Sequence, residues 1–306
     1  MSQQSNTALG ITLNVIASIL FAVMFAYTSL LGALEGNEIY GWRILLTLPC
    51  LTVFIIAQGN WSQVRHIYKR VCNERFFIFT RLLSSFLIGL QLWLFMWAPG
   101  NGYGLDVSLG YFMMPIIMVV LGRVAFKDKM SGWQKLSCVF AILAVTHMLI
   151  VSKNLTWPTL MICLGYPIYF WLRQKTNTNN IGGVWFDMML SLPLSIFFIF
   201  KGGVFTGALG SPLDTFLLIL GLGLISALAL GFQSLSAPHL NLSLFGLLVY
   251  VEPVLLFIVA IILGETIQPS EWPTYIAIWM AVSVLMLEGM MSLKAKRHRI
   301  KTQSLK

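Results

Sequence analysis

Charged side chains and cysteines are both scarce in this sequence. Asp, Glu, Lys and Arg make up 10% of the 306 residues, whereas about 25% is usual in a soluble domain. This shortage excludes a soluble enzyme of one or two domains. The cysteines Cys50, Cys72, Cys138 and Cys163 are far apart and form no C-x-x-C motif or Cys/His group. Their spacing therefore predicts neither a disulfide framework nor a metal site.

Motifs of common catalytic and nucleotide-binding sites are absent as well. The sequence has no G-x-x-x-x-G-K-[ST] loop, which excludes ATP hydrolysis by a P-loop. It also has no H-E-x-x-H zinc motif and no G-x-S-x-G nucleophile turn. We therefore predict no enzyme activity, no catalytic residues, no metal ligands and no cofactor, and keep a membrane enzyme only as an alternative.

Long apolar runs dominate what is present, since residues of the set AVILMFWYC make up 58% of the chain. A helix that crosses the bilayer needs about 20 mostly apolar residues, and lipid offers no partner for a free backbone N–H or C=O. We predict an all-α polytopic membrane protein with ten transmembrane helices. These spans are Ala8–Leu34, Ile39–Ala57, Phe76–Ala98, Val107–Val124, Trp133–Val151, Trp157–Leu172, Val184–Phe200, Phe216–Leu235, Leu242–Leu263 and Trp272–Ser292.

The basic residues give the chain a formal net charge of +9 and predict its orientation. If the N-terminus is cytoplasmic, nearly all Lys and Arg fall in cytoplasmic segments or at cytoplasmic helix ends, as the positive-inside rule requires. Of the 20 basic residues, Lys153 and Lys201 fall in outer segments and Arg43 lies within a span. We predict that both termini are cytoplasmic, that the first span is not cleaved as a signal peptide, and that no nucleic acid is bound.

Ten helices divide into two sets of five, and an odd number per set inverts the second set relative to the first. The fourth and ninth spans support this division, because a Pro within each (Pro115, Pro253) is followed at the helix end by an acidic residue (Asp128, Glu265). Such inverted repeats are typical of secondary transporters, which bind solute near the midplane. The predicted boundaries are 8–151 for the first five-helix repeat, 157–292 for the second, and 293–306 for a basic cytoplasmic tail.

Three segments give a more specific signal: Glu38–Arg43 (EIYGWR), Gln91–Trp97 (QLWLFMW) and Ser108–Pro115 (SLGYFMMP). They resemble the drug/metabolite transporter superfamily, and within it the EamA-type permeases called RarD. The resemblance extends from about residue 10 to the end of the tenth span. It implies an inner-membrane exporter of small metabolites or drugs, such as amino-acid-like compounds or chloramphenicol, built from two inverted repeats around a central cavity.

Two charged residues within spans are candidate substrate-binding residues. Glu252 lies near the middle of the ninth span, where an ionised carboxylate costs about 2.5–3.5 kcal/mol on insertion scales. It is either a proton carrier or partner of a substrate ammonium, or a protonated carboxyl bound to a neighbouring helix. Arg43 either binds a substrate carboxylate or forms an ion pair with Glu38 or Glu35 near the outer surface.

The other candidate substrate-binding residues are polar or amphipathic groups within the spans. A cavity for a small amphipathic solute needs aromatic walls and a few hydrogen-bonding groups. The candidates are Gln91, Trp97, Tyr111, Tyr166, Tyr169, Gln233 and Tyr250. Tyr111 and Tyr250 precede a Pro at corresponding places of the two repeats, although hydrogen bonding between helices explains such residues equally well.

Prolines, small residues and two acidic residues complete the predictions. The hinges of the transport motion are predicted at Pro115, Pro167 and Pro253. A stripe of small residues at Gly223, Ala227 and Gly231 predicts close helix packing. Asp187 and Glu288 are expected to lie near cytoplasmic helix ends, facing basic loops.

The predicted function is export of small amphipathic or aromatic solutes by alternating access. Uptake of a small metabolite by the same fold, or a receptor or channel, is the alternative. Energy comes from a gradient, with proton coupling and flow down the solute's own gradient both left open. The expected partners are the solute and the lipid bilayer, and the expected oligomeric state is a monomer or a homodimer.

Overall fold

The structure is a computed structural model, and it describes residues 7–32, 34–152, 156–202, 212–252, 254–255, 258, 269–270 and 272–303. Within these ranges the chain is helical and contains no strand. The helices are α1 (Thr7–Thr28), α2 (Gly36–Ala57), α3 (Trp61–Asn73), α4 (Phe77–Gly100), α5 (Gly104–Phe126), α6 (Gly132–Ser152), α7 (Trp157–Lys175), α8 (Ile181–Gly202), α9 (Pro212–Ser236), α10 (Leu242–Leu248) and α11 (Trp272–Gln303).

Six helices are long and apolar enough to cross a membrane, and shorter apolar segments lie in α5 and α11. The six spans are Thr7–Tyr27, Gly36–Ala57, Phe77–Ala98, Gly132–Val151, Ile181–Gly202 and Leu213–His239. Large apolar side chains, including Val53, Phe86, Ile150 and Phe200, are exposed on the outside of the bundle. Lipid rather than water suits such a surface. The protein is therefore a multi-pass membrane protein.

Three pairs of helices pack in antiparallel fashion: α2 with α8, α5 with α10, and α6 with α11. Each direction follows from two hydrogen bonds at different heights of the pair. For α2 and α8 they join Gly41 with Ser195 (2.6 Å) and Thr52 with Trp185 (2.7 Å). For α5 and α10 they join Phe112 with Tyr250, just after α10 (2.8 Å), and Val119 with Ser243 (3.4 Å). For α6 and α11 they join Ser137 with Ala281 (2.9 Å) and His147 with Thr274 (2.8 Å).

Four further pairs lie at the centre of the bundle, where α5 also packs closely against α7. Helices α1 and α9 are antiparallel, as are α4 and α7, whereas α2 runs parallel to α9 and α4 runs parallel to α8. The antiparallel directions follow from Asn14–Ser236 and Tyr27–Leu218 for α1 and α9, and from Trp97–Trp157 and Gln91–Met161 for α4 and α7. The parallel directions follow from Leu46–Gly223 and Phe54–Gly231 for α2 and α9, and from Ser84–Asp187 and Gly89–Ser191 for α4 and α8. The close approach of Gly223 and Gly231 to α2 confirms that the predicted small-residue stripe packs against another helix.

Four local features differ from the predicted spans. The first span ends at Thr28 and is followed by a 3₁₀ turn, Ser29–Leu31, instead of continuing to Leu34. The connection after α2 folds as the amphipathic helix α3, which was not predicted. In the ninth span, α10 ends at Leu248, and Val249 and Tyr250 form a turn before the chain is helical again at 251–252. The last helix continues to Gln303, so the backbone of the predicted basic tail is helical up to that residue.

Candidate functional site

A small cavity lies among the central helices. Six helices and the turn after α10 contribute to its wall. The lining residues are Phe21 and Met24 (α1), Arg43 (α2), Ile88, Leu92 and Phe95 (α4), Tyr111 and Met114 (α5), Tyr166 and Phe170 (α7), Leu230 and Gln233 (α9), and Val249 and Glu252. Most of these positions lie well inside their helices, so the cavity occupies the middle of the bundle.

Arg43 is the basic residue of this wall and is only 1% exposed. Its Nε donates a hydrogen bond to Ser226 Oγ of α9 at 3.0 Å. Within the described part of the chain, its Nη1 has no hydrogen-bond partner. A guanidinium presents its donors as a planar fork that matches a carboxylate. Nη1 is therefore an unpaired donor on a residue of the cavity wall.

Glu252 is the acidic residue of the wall, and its side chain is partly exposed. Its backbone N–H donates to Val249 O at 3.1 Å, across the turn that follows α10. The carboxyl lies within electrostatic range of Arg43, Tyr111 and Tyr166. The cavity therefore presents one acidic and one basic group to the same small space.

Aromatic rings form much of the remaining wall. The rings of Tyr111 and Tyr166 have centroids 6.0 Å apart, and Tyr111 contacts Phe95 edge-on at 6.0 Å. Tyr166 is stacked on Phe170, with centroids 6.2 Å apart. Such rings offer apolar faces to a ligand, while the tyrosine hydroxyls supply polar groups. The arrangement suits a solute that has both an apolar part and charged ends.

Known proteins resemble this chain over nearly its whole length. No protein-family model matches the chain. It is 33% identical over 288 residues to an uncharacterized transporter of Pasteurella multocida, covering 94% of this chain and 98% of the relative. It is 35% identical over 274 residues to the chloramphenicol-sensitive protein RarD of Pseudomonas aeruginosa, covering 89% and 92%. The chain belongs to the RarD-type permeases of the drug/metabolite transporter superfamily.

A solved structure supports the fold at lower sequence similarity. It matches this RarD-type permease with a TM-score of 0.63 and 12% sequence identity, covering 94% of this chain and 99% of its own. At this identity the likeness concerns the fold alone. Relatives of Pasteurella multocida and Haemophilus influenzae that are 33% identical to this chain are named as transporters, which identifies the protein as a membrane transporter.

Five of the nine predicted substrate-binding residues of this RarD-type permease line the cavity: Arg43, Tyr111, Tyr166, Gln233 and Glu252. Their side chains come from five separate parts of the chain. Because no two of them share a helix, the cavity depends on how the helices pack together.

The other four predicted residues do not line this cavity. Each has a contact with another part of the chain, although Gln91 Oε1 has no hydrogen-bond partner among the described residues. Gln91 Nε2 donates to Met161 O at 2.8 Å, and Tyr250 OH donates to Phe112 O at 2.8 Å. Trp97 stacks between Trp93 and Tyr103, with centroids 4.8 and 5.6 Å away. Tyr169 OH donates to Asp187 Oδ2 at 3.1 Å. Hydrogen bonds between helices, the alternative left open for such residues, account for Gln91 Nε2, Tyr250 and Tyr169. A role of these residues in solute binding stays a prediction.

The predicted hinges also differ from one another. Helices α5 and α7 continue without interruption through Pro115 and Pro167. Pro253 lies outside the described residues, but the turn at Val249 and Tyr250 shows that the helix is broken just before it. Of the three positions, this turn is where the backbone departs from a regular helix.

The structure also shows a buried ion pair that was not predicted from the sequence. Arg81 Nη2 of α4 lies 3.7 Å from Asp187 Oδ1 of α8, and both side chains are fully buried. Asp187 Oδ2 accepts hydrogen bonds from Ser84 Oγ at 3.0 Å and Tyr169 OH at 3.1 Å. Tyr169 OH in turn accepts one from Arg173 Nη1 at 3.0 Å. We call these five residues the Asp187 network.

The expectation that Asp187 faces a basic loop was therefore wrong, because its basic partners are within packed helices. Glu288 accepts a hydrogen bond from Gln134 Nε2 near the start of α6, at 3.5 Å, and its position facing a basic loop stays a prediction. A usable signal was the position of Arg81 and Asp187 a few residues inside apolar spans, where an unpaired charge is costly. No group of three or more potential metal ligands occurs among the described residues.

Proposed function

We propose that the protein is a secondary transporter that exports small amphipathic or aromatic solutes across the cell inner membrane by alternating access. The observation on which this rests is the central cavity, whose wall combines Arg43, Glu252 and aromatic rings. This combination recognises a solute with an anionic end, a cationic end and an apolar body. Amino-acid-like compounds have this chemistry.

The helix packing supports ten spans arranged as two inverted repeats. In this arrangement α1, α2, α4, α5 and α6 of one repeat exchange with α7, α8, α9, α10 and α11 of the other. The symmetry maps the pair α1–α9 onto α7–α4, and both of these pairs are antiparallel. It maps the pair α2–α9 onto α8–α4, and both of these pairs are parallel. The pairs α2–α8, α5–α10 and α6–α11 exchange with themselves and are antiparallel, as a two-fold axis in the membrane plane requires. The close pair α5–α7 has a much smaller counterpart in α10–α1, so the symmetry of the packing is approximate.

Two prolines provide further support. Pro49 lies inside α2 and Pro193 lies inside α8, at nearly the same distance from the start of each helix. Because α2 and α8 exchange under the proposed symmetry, these prolines correspond. They add a second pair of corresponding prolines to Pro115 and Pro253 of the fourth and ninth spans.

The proposed orientation has both termini in the cytoplasm. Its support is the distribution of Lys and Arg, which places α3 and the connections after α5 and α7 on the cytoplasmic side. Export then means that solute enters the cavity from this side. Uptake uses the same cavity in the reverse direction, so the direction must be measured.

Chloramphenicol is a second class of solute to test, because a relative from Pseudomonas aeruginosa is named for sensitivity to it. It is an aromatic compound without a charged pair of ends. The charged pair in the cavity therefore favours the amino-acid-like solutes over chloramphenicol. Catalysis is not proposed, since the wall offers one carboxyl and one guanidinium but no activated nucleophile.

Counterflow in reconstituted vesicles tests the proposal. Purified protein is placed in vesicles loaded with an unlabelled amino acid or with chloramphenicol, and entry of the labelled compound is followed with and without a pH gradient. We expect exchange of at least one aromatic amino acid and its loss in Arg43→Gln. The matched control is Arg65→Gln, which removes an exposed arginine far from the cavity. If none of these compounds exchanges, or if both variants behave alike, the proposed function is wrong.

A further inference from the structure

Helix α3 (Trp61–Asn73) is amphipathic. Val64 and Ile67 are buried, one turn apart on the face that packs against the bundle. The opposite face presents Arg65, Tyr68, Lys69 and Cys72 at intervals of three and four residues, and all four are exposed. Tyr68 is 61% exposed. This second face contributes nothing to the cavity.

Several contacts hold α3 in place on the second half of the chain. Gly182 N, at the start of α8, donates to Gln63 Oε1 at 3.3 Å, and Arg70 Nη1 donates to Thr176 O at 2.7 Å. Trp61 also packs edge-on against a tryptophan of α8, with centroids 5.5 Å apart. The exposed face is therefore part of a fixed surface.

This face is strongly basic. The single acidic residue of segment 58–76 is Glu74, and Arg70 occupies it with a hydrogen bond of 2.7 Å. Arg65, Lys69 and Arg75 have no ion-pair partner in the part of the chain that the structure describes. Three uncompensated positive charges thus lie close together at one end of the bundle.

The lipid-facing surface of α4 begins directly beside these charges. Phe76 and Phe79 are 70% and 62% exposed. The Arg75 guanidinium lies 5.7 Å from the centroid of the Phe76 ring. Helices α2 and α4, which precede and follow α3 in the chain, are both long and apolar enough to cross a membrane. We therefore expect the basic face at the depth of the lipid headgroups and the phenylalanines at the depth of the adjoining acyl chains.

We propose that the exposed face of α3, together with Arg75, binds the headgroups of anionic phospholipids. The basic groups meet the lipid phosphate and its negative headgroup, while Phe76 and Phe79 contact the acyl chains of the same molecules. An acidic soluble protein would match the charges but not the adjoining apolar surface. The proposal does not depend on the transported solute.

Cys72 provides a site for a fluorescent probe on this face, because it is exposed while Cys163 is buried and Cys50 and Cys138 are partly buried. The two partly buried cysteines are replaced by serine, and Cys72 is labelled with a bimane. The protein is reconstituted in vesicles of phosphatidylcholine with a minor fraction of phosphatidylglycerol. Bromine quencher near the headgroup is placed either on the phosphatidylglycerol or on an equal amount of phosphatidylcholine.

We expect the brominated phosphatidylglycerol to quench the probe more strongly than the brominated phosphatidylcholine. In the variant Arg65→Gln/Lys69→Gln, the preference should fall by about fivefold for each charge removed. The control variant Lys127→Gln/Lys129→Gln removes two exposed lysines of another connection and should keep the preference. Equal quenching by the two lipids, or the same loss in both variants, would overturn the proposal. Quenching by neither lipid would show that the face is open to water or to a soluble partner, and would overturn it as well.

Discussion

Two buried arginines, Arg43 and Arg81, have contrasting surroundings. Arg43 is 1% exposed and Arg81 is 0% exposed, so burial alone does not distinguish them. Arg43 lies on the wall of a cavity, with a free Nη1 and with Glu252 within electrostatic range. Arg81 lies 3.7 Å from Asp187, whose Oδ2 two further side chains contact. None of the three side-chain nitrogens of Arg81 has a hydrogen-bond partner among the described residues, so hydrogen bonding does not distinguish the two arginines either. What distinguishes them is that Arg81 has a carboxylate within 4 Å, whereas Arg43 has none in the described part of the chain.

The difference concerns what compensates each charge. Around Arg81 the compensation is built from α4 and α8, which the proposed symmetry assigns to different repeats. Around Arg43 part of the compensation is left to whatever enters the cavity. A buried ion pair contributes little net stability, but removal of one partner leaves an uncompensated charge and is strongly destabilising. The comparison therefore predicts folding defects at one site and transport defects at the other.

Asp187→Asn should give the largest effect. The substitution leaves Arg81 and Arg173 buried without a carboxylate, which costs about 3–5 kcal/mol. We expect a large loss of folded protein, measured by size-exclusion chromatography in detergent and by the midpoint of thermal unfolding. The compensating double variant Arg81→Gln/Asp187→Asn removes both charges and should recover most of the folded protein lost in Asp187→Asn. If the double variant is no more stable than Asp187→Asn, the pairing with Arg81 is not the cause.

Arg43→Gln should have the second largest effect, on transport rather than on folding. The variant loses the charged donor that faces the cavity, and hydrogen bonds to charged groups contribute about 1.5–3 kcal/mol each. We expect counterflow of an amino-acid-like solute to fall about a hundredfold, with the unfolding midpoint nearly unchanged. Ser226→Ala, which removes only the partner of Nε, should reduce transport less. A collapse of stability in Arg43→Gln would make Arg43 a structural residue like Arg81.

The sequence predicts the helices of this molecule better than it predicts their contacts. Long apolar runs are enough to locate α1, α2, α4, α6, α8 and α9, because the bilayer requires both length and hydrophobicity. Helix α3 is short and polar, so the hydropathy pattern does not reveal it. Its apolar period, Val64, Ile67 and Val71, was the available signal.

The site is harder to predict because it depends on how each helix is rotated. Tyr166 and Tyr169 are three residues apart on α7, yet one faces the cavity and the other faces Asp187. In an apolar helix every face is hydrophobic, so the pattern does not show which face points inward. Hydrogen bonds to neighbouring helices decide this, and the neighbours cannot be read from the local sequence. Charged residues such as Glu252 are easier to assign, because lipid excludes them from the outer surface.

Glu252→Gln sharpens the comparison from the acidic side of the cavity. The amide keeps the shape of the carboxyl but cannot ionise or bind an ammonium as a counter-charge. We expect counterflow to fall about tenfold, since one charge-assisted contact is lost. Any pH dependence of transport that the wild type shows across the neutral range should disappear in the variant. Unchanged rates and an unchanged pH profile would remove Glu252 from the proposed site.

The exposed ion pair Arg70–Glu74 tests whether burial causes the large loss of stability expected in Asp187→Asn. Breaking this exposed pair should have the smallest effect on stability. Its Nε and Oε1 are 2.7 Å apart, closer than Arg81 and Asp187, but half of the Glu74 side chain is exposed. The hydrogen bond from Arg70 lowers the pKa of the Glu74 carboxyl. Any stability from this pair is therefore present above the ordinary pKa of a glutamate and is lost as the pH falls through the lowered value.

Glu74→Gln should leave the unfolding midpoint at neutral pH almost unchanged, because water and salt screen exposed pairs. The midpoints of the variant and the wild type should converge further as the pH falls below the lowered pKa, where the wild-type carboxyl is also uncharged. A loss at neutral pH as large as that of Asp187→Asn would mean that proximity rather than burial governs these pairs. The contrast between Arg43 and Arg81 would then have to be explained by distance to the nearest carboxylate alone.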